Sequence, residues 1–524
     1  VNEAYDVLVV GGGPAGLSGA LALARARRSV LVVDAGEPRN APAAHMHGYL
    51  GREGTPPADL LATGREEVAR YGAEVVTGRV VSAERRDAGF QVTLDDGRGV
   101  RARRLLVTTG LVDELPDVPG LAERWGRDVL HCPYCHGWEV RDRRIGVLAT
   151  GPSAVEQANM WRQWSADVTL LLHRTPALGD EETRLLAARS ITVVDGPVAS
   201  LEVTGDTLTG ARLESGEVVP LDALVVAPRY TARAGVLESL GLKPVEVEWH
   251  GHVAGTQISA DATGATSVPG VWVAGNAANV GAKVIMSAAQ GLAAGTAINA
   301  DLIAEDTREA VDAYQERVRD VLREDSWDER YRSSSALWSG NPNPQLVAEA
   351  AALTPGRALD AGCGEGADAV WLAERGWRVT AVDFSTVALE RAAAHAEAAG
   401  VADRVEWTHA DLRDHTPAER AYDLVSAQYI HLPGTARRNL FTRLAAAVAP
   451  GGTLLIVGHH LLDVRTGVRP MGFPDMMYDA GELASLLDPG EWEVLVAEDR
   501  PRPVQRDGHD VTVHDAVLAA RRRG

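Results

Sequence analysis

The sequence predicts an α/β protein built around three nucleotide-type parallel sheets. Three stretches share one order: a short apolar strand, a glycine-rich turn, an alanine-rich helix and a return to a second apolar strand. That order is βαβ, the repeating unit of a parallel sheet. The chain has 524 residues, beyond the roughly 250–300 at which one hydrophobic core stops growing. Aromatic residues make up 5% and glycines number 53, which suits close packing of helices on strands.

The first stretch is Tyr5–Val10, the turn GGGPAG, a helix to about Arg27 and the strand VLVVD. The second is Arg144–Ala149, the turn TGPSA, a helix through Trp161 and the strand VTLLLHR. The third is Arg357–Gly362, the turn CGEG, a helix to about Arg375 and the strand RVTAVD. Between the second and third, residues 305–332 predict a charged helix, and the Ser, Gly, Asn and Pro cluster SSSALWSGNPNP after it has loop chemistry.

The formal net charge of −20 argues against a nucleic-acid partner, because phosphate binding needs a basic surface. No run of about 18 apolar residues occurs, so no membrane association is expected. The first strand begins with no charged and apolar leader before it, and a cytoplasmic setting is expected. The three cysteines are Cys132, Cys135 and Cys363. So few, and an odd number, make no disulfide framework; in a reducing compartment a close pair points to catalysis or metal binding.

Gly11, Gly13 and Gly16 follow the first strand, with Pro14 and Ala15 opening the helix. Such a turn lets backbone N–H groups approach a pyrophosphate at the positive end of the helix. Asp34 ends the next strand, where a carboxylate accepts ribose hydroxyls. This favours a dinucleotide without deciding between NAD and FAD. The segments LLVTTG, with Thr109 and Gly110, and TSVPGVWVAGNAA, with Gly275 and Asn276, resemble the second and third FAD contacts of thioredoxin reductase-like flavoproteins. The resemblance covers about residues 4–304 and implies a two-dinucleotide-binding-domain flavoprotein. Its FAD-binding domain would be split into 1–115 and 246–312 around a central NAD(P)-like domain, 116–245, that holds the redox site. Two positions depart from the family: Asn276 stands in place of an Asp, and Lys283 in place of a Gln.

Cys132-Pro133-Tyr134-Cys135-His136-Gly137 lies about ten residues before the central nucleotide-like strand. Two thiols at this spacing close a small ring, and a helix start lowers a thiol pKa. Pro133 fits a first helical turn, where no N–H is needed. The same letters also occur in c-type haem attachment. A zinc site would need four ligands, and no second pair is present. The thioredoxin reductase-like family keeps its redox disulfide at this place, usually followed by Asp. The CxxCHG form is similar to dithiol oxidases that close disulfides in gliotoxin- and holomycin-type natural products. The resemblance implies that Cys132 receives the substrate, that Cys135 passes electrons to the flavin, and that His136 moves thiol protons. GEPRNAPAAHMHGYL resembles the same subgroup, and Arg39, Asn40 and His47 are its candidate contacts to the cofactor.

The central turn reads Ala149-Thr150-Gly151-Pro152-Ser153-Ala154, so a first glycine is missing. The pair of basic residues expected after the next strand reads His173-Arg174-Thr175, with one arginine missing. Gly151, Ser153, Ala154 and Arg174 are the remnant of an NADP site. Productive use of NADPH is not expected, yet Arg174 keeps one phosphate contact and leaves NADPH open.

Asp360, Gly362, Gly364 and Gly366 resemble the first motif of class I S-adenosyl-L-methionine-dependent methyltransferases. Asp383, followed by Phe384, then faces the ribose diol, Asp411 the adenine, and Gln428 ends the fourth strand. The stretch from Trp327 to Pro344 and WLAERGWRVTAVDFS resemble the tellurite-resistance and thiopurine methyltransferase group. In that group Trp327, Tyr331 and Trp338 would lie over the cofactor, and Tyr429, His431, His459 and His460 would line the acceptor side. Residues 313–340 are expected as a helical linker or lid and 341–524 as the methyltransferase domain. Cys363 is a small packing residue.

The expected whole is a bifunctional enzyme using FAD and S-adenosyl-L-methionine. One half oxidises a small-molecule dithiol, with electrons passing to the flavin and then to O2; the other methylates a thiol or other soft nucleophile. The alternatives are an NADPH-dependent disulfide or chalcogen reductase, or a flavin and disulfide redox sensor. A small-molecule thiol or disulfide substrate and a homodimer are the expected partners, and no metal is expected.

Overall fold

The structure, a computed structural model, describes residues 4–249, 251–468, 473–506 and 509–524. They fall into two compact units, Val1–Thr307 and Arg308–Gly524. In the first unit, Val7, Leu8 and Val9 of the strand Ala4–Val10 are fully buried, as a parallel strand covered on both faces requires. Its sheet runs Glu74–Thr77, Val30–Asp34, Ala4–Val10, Gly99–Val107, Gly89–Leu94 and Val80–Arg86, and Val271–Val273 joins it beside Gly99–Val107. The chain therefore returns to its first sheet after an insertion of more than a hundred residues. Inside the insertion, the strands Thr192–Val194, Val168–Leu171, Ile145–Leu148, Ala223–Val226 and Val129–Leu130 form a parallel sheet. An antiparallel ribbon, Val198–Thr204, Thr207–Leu213 and Val218–Pro220, accompanies it.

The helices Pro14–Arg25 and Val284–Val321 meet through small residues. A Cβ on Gly291 would lie 1.9 Å from the Ala15 carbonyl oxygen, and one on Gly295 2.7 Å from that of Gly19. Ion pairs clamp the same long helix further on: Arg28 to Asp306, Arg104 to Asp301, and Arg103 to Glu305 and Asp306.

The charged helix expected over 305–332 differs in both bounds. It is the continuation of Val284–Val321, because nothing between 284 and 305 breaks or caps a helix. The chain interrupts at Arg323, whose backbone is extended, and restarts as Glu324–Ser333 with two acids in its first turn. Residues 313–340, expected as a helical linker or lid, carry the end of the helix Val284–Val321 and the helix Glu324–Ser333. Asp328 is buried in the second unit, accepting from Ser385 Oγ at 2.6 Å, Thr386 Oγ1 at 3.1 Å and the Val387 N–H at 3.3 Å.

The second unit holds one seven-stranded sheet among the described residues, ordered Val405–His409, Arg378–Asp383, Arg357–Ala361, Tyr422–Gln428, Val448–His459, His509–Arg522 and Trp492–Arg506. The first five strands are parallel, and His509–Arg522 runs antiparallel to both its neighbours, Val448–His459 and Trp492–Arg506. Strand order reverses between Arg357–Ala361 and Tyr422–Gln428, which makes a switch-point crevice at their carboxyl ends. No helix among the described residues is long and apolar enough to cross a membrane.

Candidate active sites

In the first unit the turn after Ala4–Val10 is held from below. Gly11 takes φ +103, a conformation L side chains avoid, and its N–H donates to the Val33 carbonyl at 2.8 Å. Thr108 Oγ1 donates to the Gly11 carbonyl at 2.8 Å, and the Gly12 N–H to Asp34 Oδ1 at 3.0 Å. Gly16 does not line the cavity; a Cβ there would sit 1.9 Å from the Gly11 oxygen, so its part is to let the helix press on the turn. Gly13, the residue before the helix Pro14–Arg25, has open space above it. A pyrophosphate fits there, against the positive end of the helix. When bound, FAD supplies a two-electron acceptor.

A cavity of about 1500 Å³ runs from this turn to the cysteine pair. Pro14, Ala15, Asp34, Asn40, Thr109, Gly110 and Gly275 line it. Thr109 Oγ1 is spent on the Arg233 carbonyl at 2.7 Å. Asn276 also faces the cavity, but its amide is engaged. Its Nδ2 donates to the carbonyls of Asn279, at 3.1 Å, and Ala282, at 2.9 Å, and its Oδ1 accepts from Arg39 at 3.3 Å. A carboxylate could not make the first two bonds. The Asn for Asp departure thus ties the 279–282 loop. Arg39 is held by a two-pronged ion pair to Asp113, at 2.8 and 2.6 Å. His47 is placed beside the cysteine segment, with its ring between Glu53 and Glu139.

Cys132 precedes the short helix Pro133–His136. The Cys135 thiol donates to the Cys132 sulfur at 2.9 Å. That hydrogen bond, aided by the Lys283 ammonium and opposed by burial, lowers the Cys132 thiol to about 6. Cys135, the donor of that bond and buried, is raised. Lys283 Nζ lies 4.4 Å from the Tyr134 ring centroid. His136 is pushed down by burial, against the pull of Glu139. His131, which sequence reasoning passed over, stacks on Trp125 with centroids 5.4 Å apart, and burial lowers it to about 4.

The positions expected to form an NADP remnant lie at the same cavity, and each expected clamp position has another partner. His173 Nδ1 accepts the Val198 N–H at 2.9 Å, Arg174 pairs with Glu214 at 3.1 Å, and Thr175 Oγ1 donates to the Leu172 carbonyl at 2.6 Å. Ala149 is buried at the turn. Gly151 and Ser153 line the cavity, and Ala154, which does not, is buried at the start of the next helix.

In the second unit Asp360, next to last in its strand, is 1% exposed, with Oδ2 lacking a hydrogen-bond partner. Burial, with Asp368 and Asp383 near, raises its pKa. Asp383 Oδ2 accepts the Gly364 N–H at 2.8 Å and its Oδ1 the Ser385 N–H at 2.9 Å. Gly364 has φ +51, and the position of a Cβ on it would be 3.2 Å from Tyr331 OH and 3.5 Å from Trp338 Nε1. Trp338 Nε1 donates to Tyr331 OH at 3.2 Å, and Glu365 accepts the Trp338 N–H while pairing with Arg391. The two rings therefore close over the glycine turn, held by Glu365 and Arg391, which the sequence reading missed. A lone-pair donor left open at Asp360, a bare glycine turn and an aromatic cover fit S-adenosyl-L-methionine, which supplies an electrophilic methyl group. Gly362 packs against Ile430, and Gly366 precedes the helix Ala367–Glu374. Phe384 is half-buried beside them, its carbonyl 3.0 Å from His409 Nε2. Gln428 Nε2 donates to Ser426 Oγ at 2.8 Å.

Asp411, expected against the adenine, holds Arg413 with both its oxygens, at 2.6 to 3.1 Å. Across the switch point, Tyr429 takes φ +54 and its ring packs 4.4 Å from that of His459, which stacks on His431 at 4.8 Å. His460 Nδ1 caps the next helix by accepting the Leu462 N–H at 3.0 Å. Burial raises the Cys363 thiol, in keeping with packing.

Residues 5–295 match the family described as pyridine nucleotide-disulphide oxidoreductase, and residues 358–452 a methyltransferase domain. The chain is 35% identical over 253 residues to thioredoxin reductase tcpT of Claviceps purpurea, covering 46% of this chain and 79% of that protein. It is 30% identical over 319 residues to thioredoxin reductase sirT of Leptosphaeria maculans, covering 58% and 95%. Among solved structures, "Crystal structure of HlmI" is 46% identical with a TM-score of 0.56, covering 60% of this chain and 98% of that one. An oxidoreductase from Agrobacterium tumefaciens is 35% identical with a TM-score of 0.54, covering 57% and 99%.

Proposed function

The chain belongs, through residues 5–295, to the pyridine nucleotide-disulphide oxidoreductase family, and we propose that this half oxidises a small-molecule dithiol through Cys132 and Cys135, with FAD and then O2 as electron acceptors. The second half, which carries a methyltransferase domain, transfers a methyl group from S-adenosyl-L-methionine to a thiol or other soft nucleophile of a small molecule.

The observation that carries the oxidase reading is the state of the second nucleotide site. Arg174 is its remaining cation, and Glu214 sits against it. The pair is largely exposed, so its own energy is small, but a carboxylate there repels a phosphate. In the cycle proposed, a substrate thiolate attacks Cys132 of the disulfide, and Cys135 leaves. The second substrate thiolate closes the product disulfide and releases Cys132, whose low pKa makes it a good leaving group. For methyl transfer, alignment and exclusion of water suffice when the nucleophile is soft.

A second reading is favoured by the printed names of the two relatives, both thioredoxin reductases. There NADPH would drive the same parts in reverse. Anaerobic rapid mixing of the FAD-loaded protein separates the two. We expect dithiothreitol to bleach the flavin within seconds and NADPH to act at least about tenfold more slowly, the loss of one charge-assisted phosphate contact being worth ~1.5–3 kcal/mol. Fast bleaching by micromolar NADPH would overturn the oxidase reading in favour of the reductase.

A further inference from the structure

We propose that Asp360 makes the methyl-donor site selective for a cationic ligand. It holds a proton in the ligand-free protein and beside the neutral product S-adenosylhomocysteine, and gives that proton up when S-adenosyl-L-methionine enters. The inference rests on the methyl-donor reading above and adds to it a choice between donor and spent product.

Asp360 belongs to the strand Arg357–Ala361 and stands two residues before Gly362 of the glycine turn. It is 1% exposed, and its Oδ2 has no hydrogen-bond partner. On the neighbouring strand Ser426 lies opposite it in register, and Gln428 follows two residues on, on the same face. Gln428 spends its Nε2 on Ser426 Oγ at 2.8 Å, and its Oε1 is likewise buried without a partner. The open atoms of both residues are oxygens, which call for a donor or a positive charge.

The charged groups around Asp360 supply neither. Asp368, in the first turn of the helix Ala367–Glu374, accepts the Asn343 N–H at 2.6 Å. Burial raises it only to about 6, so near neutral pH it carries its charge. Asp383 accepts the N–H groups of Gly364, at 2.8 Å, and Ser385, at 2.9 Å. Both press on Asp360 with like charge, and the Ala369 N–H pulls the other way. Among the described residues no arginine or lysine pairs with Asp360, Asp368 or Asp383. His409, which faces Asp383, has its Nε2 at 2.9 Å from Glu324, and Glu365 is matched by Arg391 at 2.8 Å. The Cys363 thiol and the Tyr331 hydroxyl beside the turn are both raised by burial and bring no charge.

A carboxylate sealed from water keeps its charge only against a cation or several donors; without them it takes a proton. With a single N–H and two acidic neighbours, Asp360 takes the proton. S-adenosyl-L-methionine carries a sulfonium and an ammonium against one carboxylate. That net positive charge is what the site lacks, so the O–H bond of Asp360 breaks and the proton leaves to the buffer. The product has lost the sulfonium charge with the methyl group and is neutral overall, so beside it the proton stays. Donor affinity then rises with pH wherever the ligand-free site holds the proton, by at most about tenfold per pH unit, while product affinity stays level. The site thereby tells apart two molecules that differ by one methyl group.

Isothermal titration calorimetry of the FAD-loaded full chain at about pH 6.5, in two buffers of different ionisation heat, counts the protons. S-adenosyl-L-methionine should release about half a proton or more. S-adenosylhomocysteine, which carries the same ammonium and carboxylate, should release much less. In Asp360→Asn the release should vanish, and the ratio of donor to product affinity should fall about tenfold. Circular dichroism checks that the variant folds. Asp368→Asn keeps Asp360 and removes one like charge, so the pH at which release fades should move down; this variant decides where Asp360→Asn does not fold or binds neither ligand. Equal release with both ligands, or release that either variant leaves as in the parent protein, would overturn the proposal. A parent protein that binds neither ligand would overturn the methyl-donor reading, and the proposal with it.

Discussion

The surroundings of Cys132 turn its thiol towards the charged form. The three largest influences on it are a hydrogen bond from Cys135, the cost of burial, and the Lys283 charge. The first and third outweigh the second, so the reduced pair holds its negative charge on Cys132. The sign follows directly. The thiolate is present above a pKa of about 6 and is lost as pH falls through that value. We expect alkylation of Cys132 by iodoacetamide in the reduced protein to be near its plateau at pH 7 and to fall about tenfold for each pH unit well below the midpoint. Lys283→Gln removes a cation that favours the thiolate, so the midpoint should rise; a midpoint that stays put would show that Lys283 acts only on Tyr134. The cysteine pair itself was legible because its motif is local. The charge that tunes Cys132 was not, because Lys283 reaches the site through tertiary folding, more than a hundred residues further along the chain. At Asp411 the motif was local and legible, while the ion pair that Arg413 makes with it shows only in the structure.

Among the elements, the helices Pro14–Arg25 and Val284–Val321 position the turn that faces the cavity. Their approach depends on glycine, since the space a Cβ on Gly291 would need is 1.9 Å from a backbone oxygen of Ala15. That atom belongs to the turn and cannot step aside as a side-chain end would. Gly291→Ala should cost ~1–3 kcal/mol by overpacking and weaken FAD retention with it. Unfolding by denaturant, with flavin release on gel filtration, reads both; an unchanged midpoint would mean that the helices can part at no cost. The strand–turn–helix starts were legible from periodicity and glycine placement. The bounds of the charged helix were not. Helical propensity runs through residue 305 without a stop, and the true interruption at Arg323 carries neither Gly nor Pro. What holds Glu324–Ser333 is the tertiary burial of Asp328 against Ser385 and Thr386.

For the whole molecule, the hydrophobic clusters divide as the two units do. Those built on Tyr5, Val7, Leu130 and Val118 lie within residues before 308, and those on Leu359 and Leu346 within residues after it. Cooperative unfolding follows shared cores, so each unit should melt as its own transition. The glycine turn, Asp360 and Asp383 that fit S-adenosyl-L-methionine all belong to the second unit. A ligand that binds only the folded form at a hundredfold excess over its Kd stabilises by about 2.7 kcal/mol, which for a unit of 150–250 residues is roughly 5–11 °C. Calorimetry of the FAD-loaded protein should therefore show two transitions, of which S-adenosyl-L-methionine raises one by that amount. Flavin fluorescence, which reports release of FAD, should rise at the same temperature with and without it. A single transition that the methyl donor moves as a whole, together with flavin release, would show that the two halves are one cooperative body.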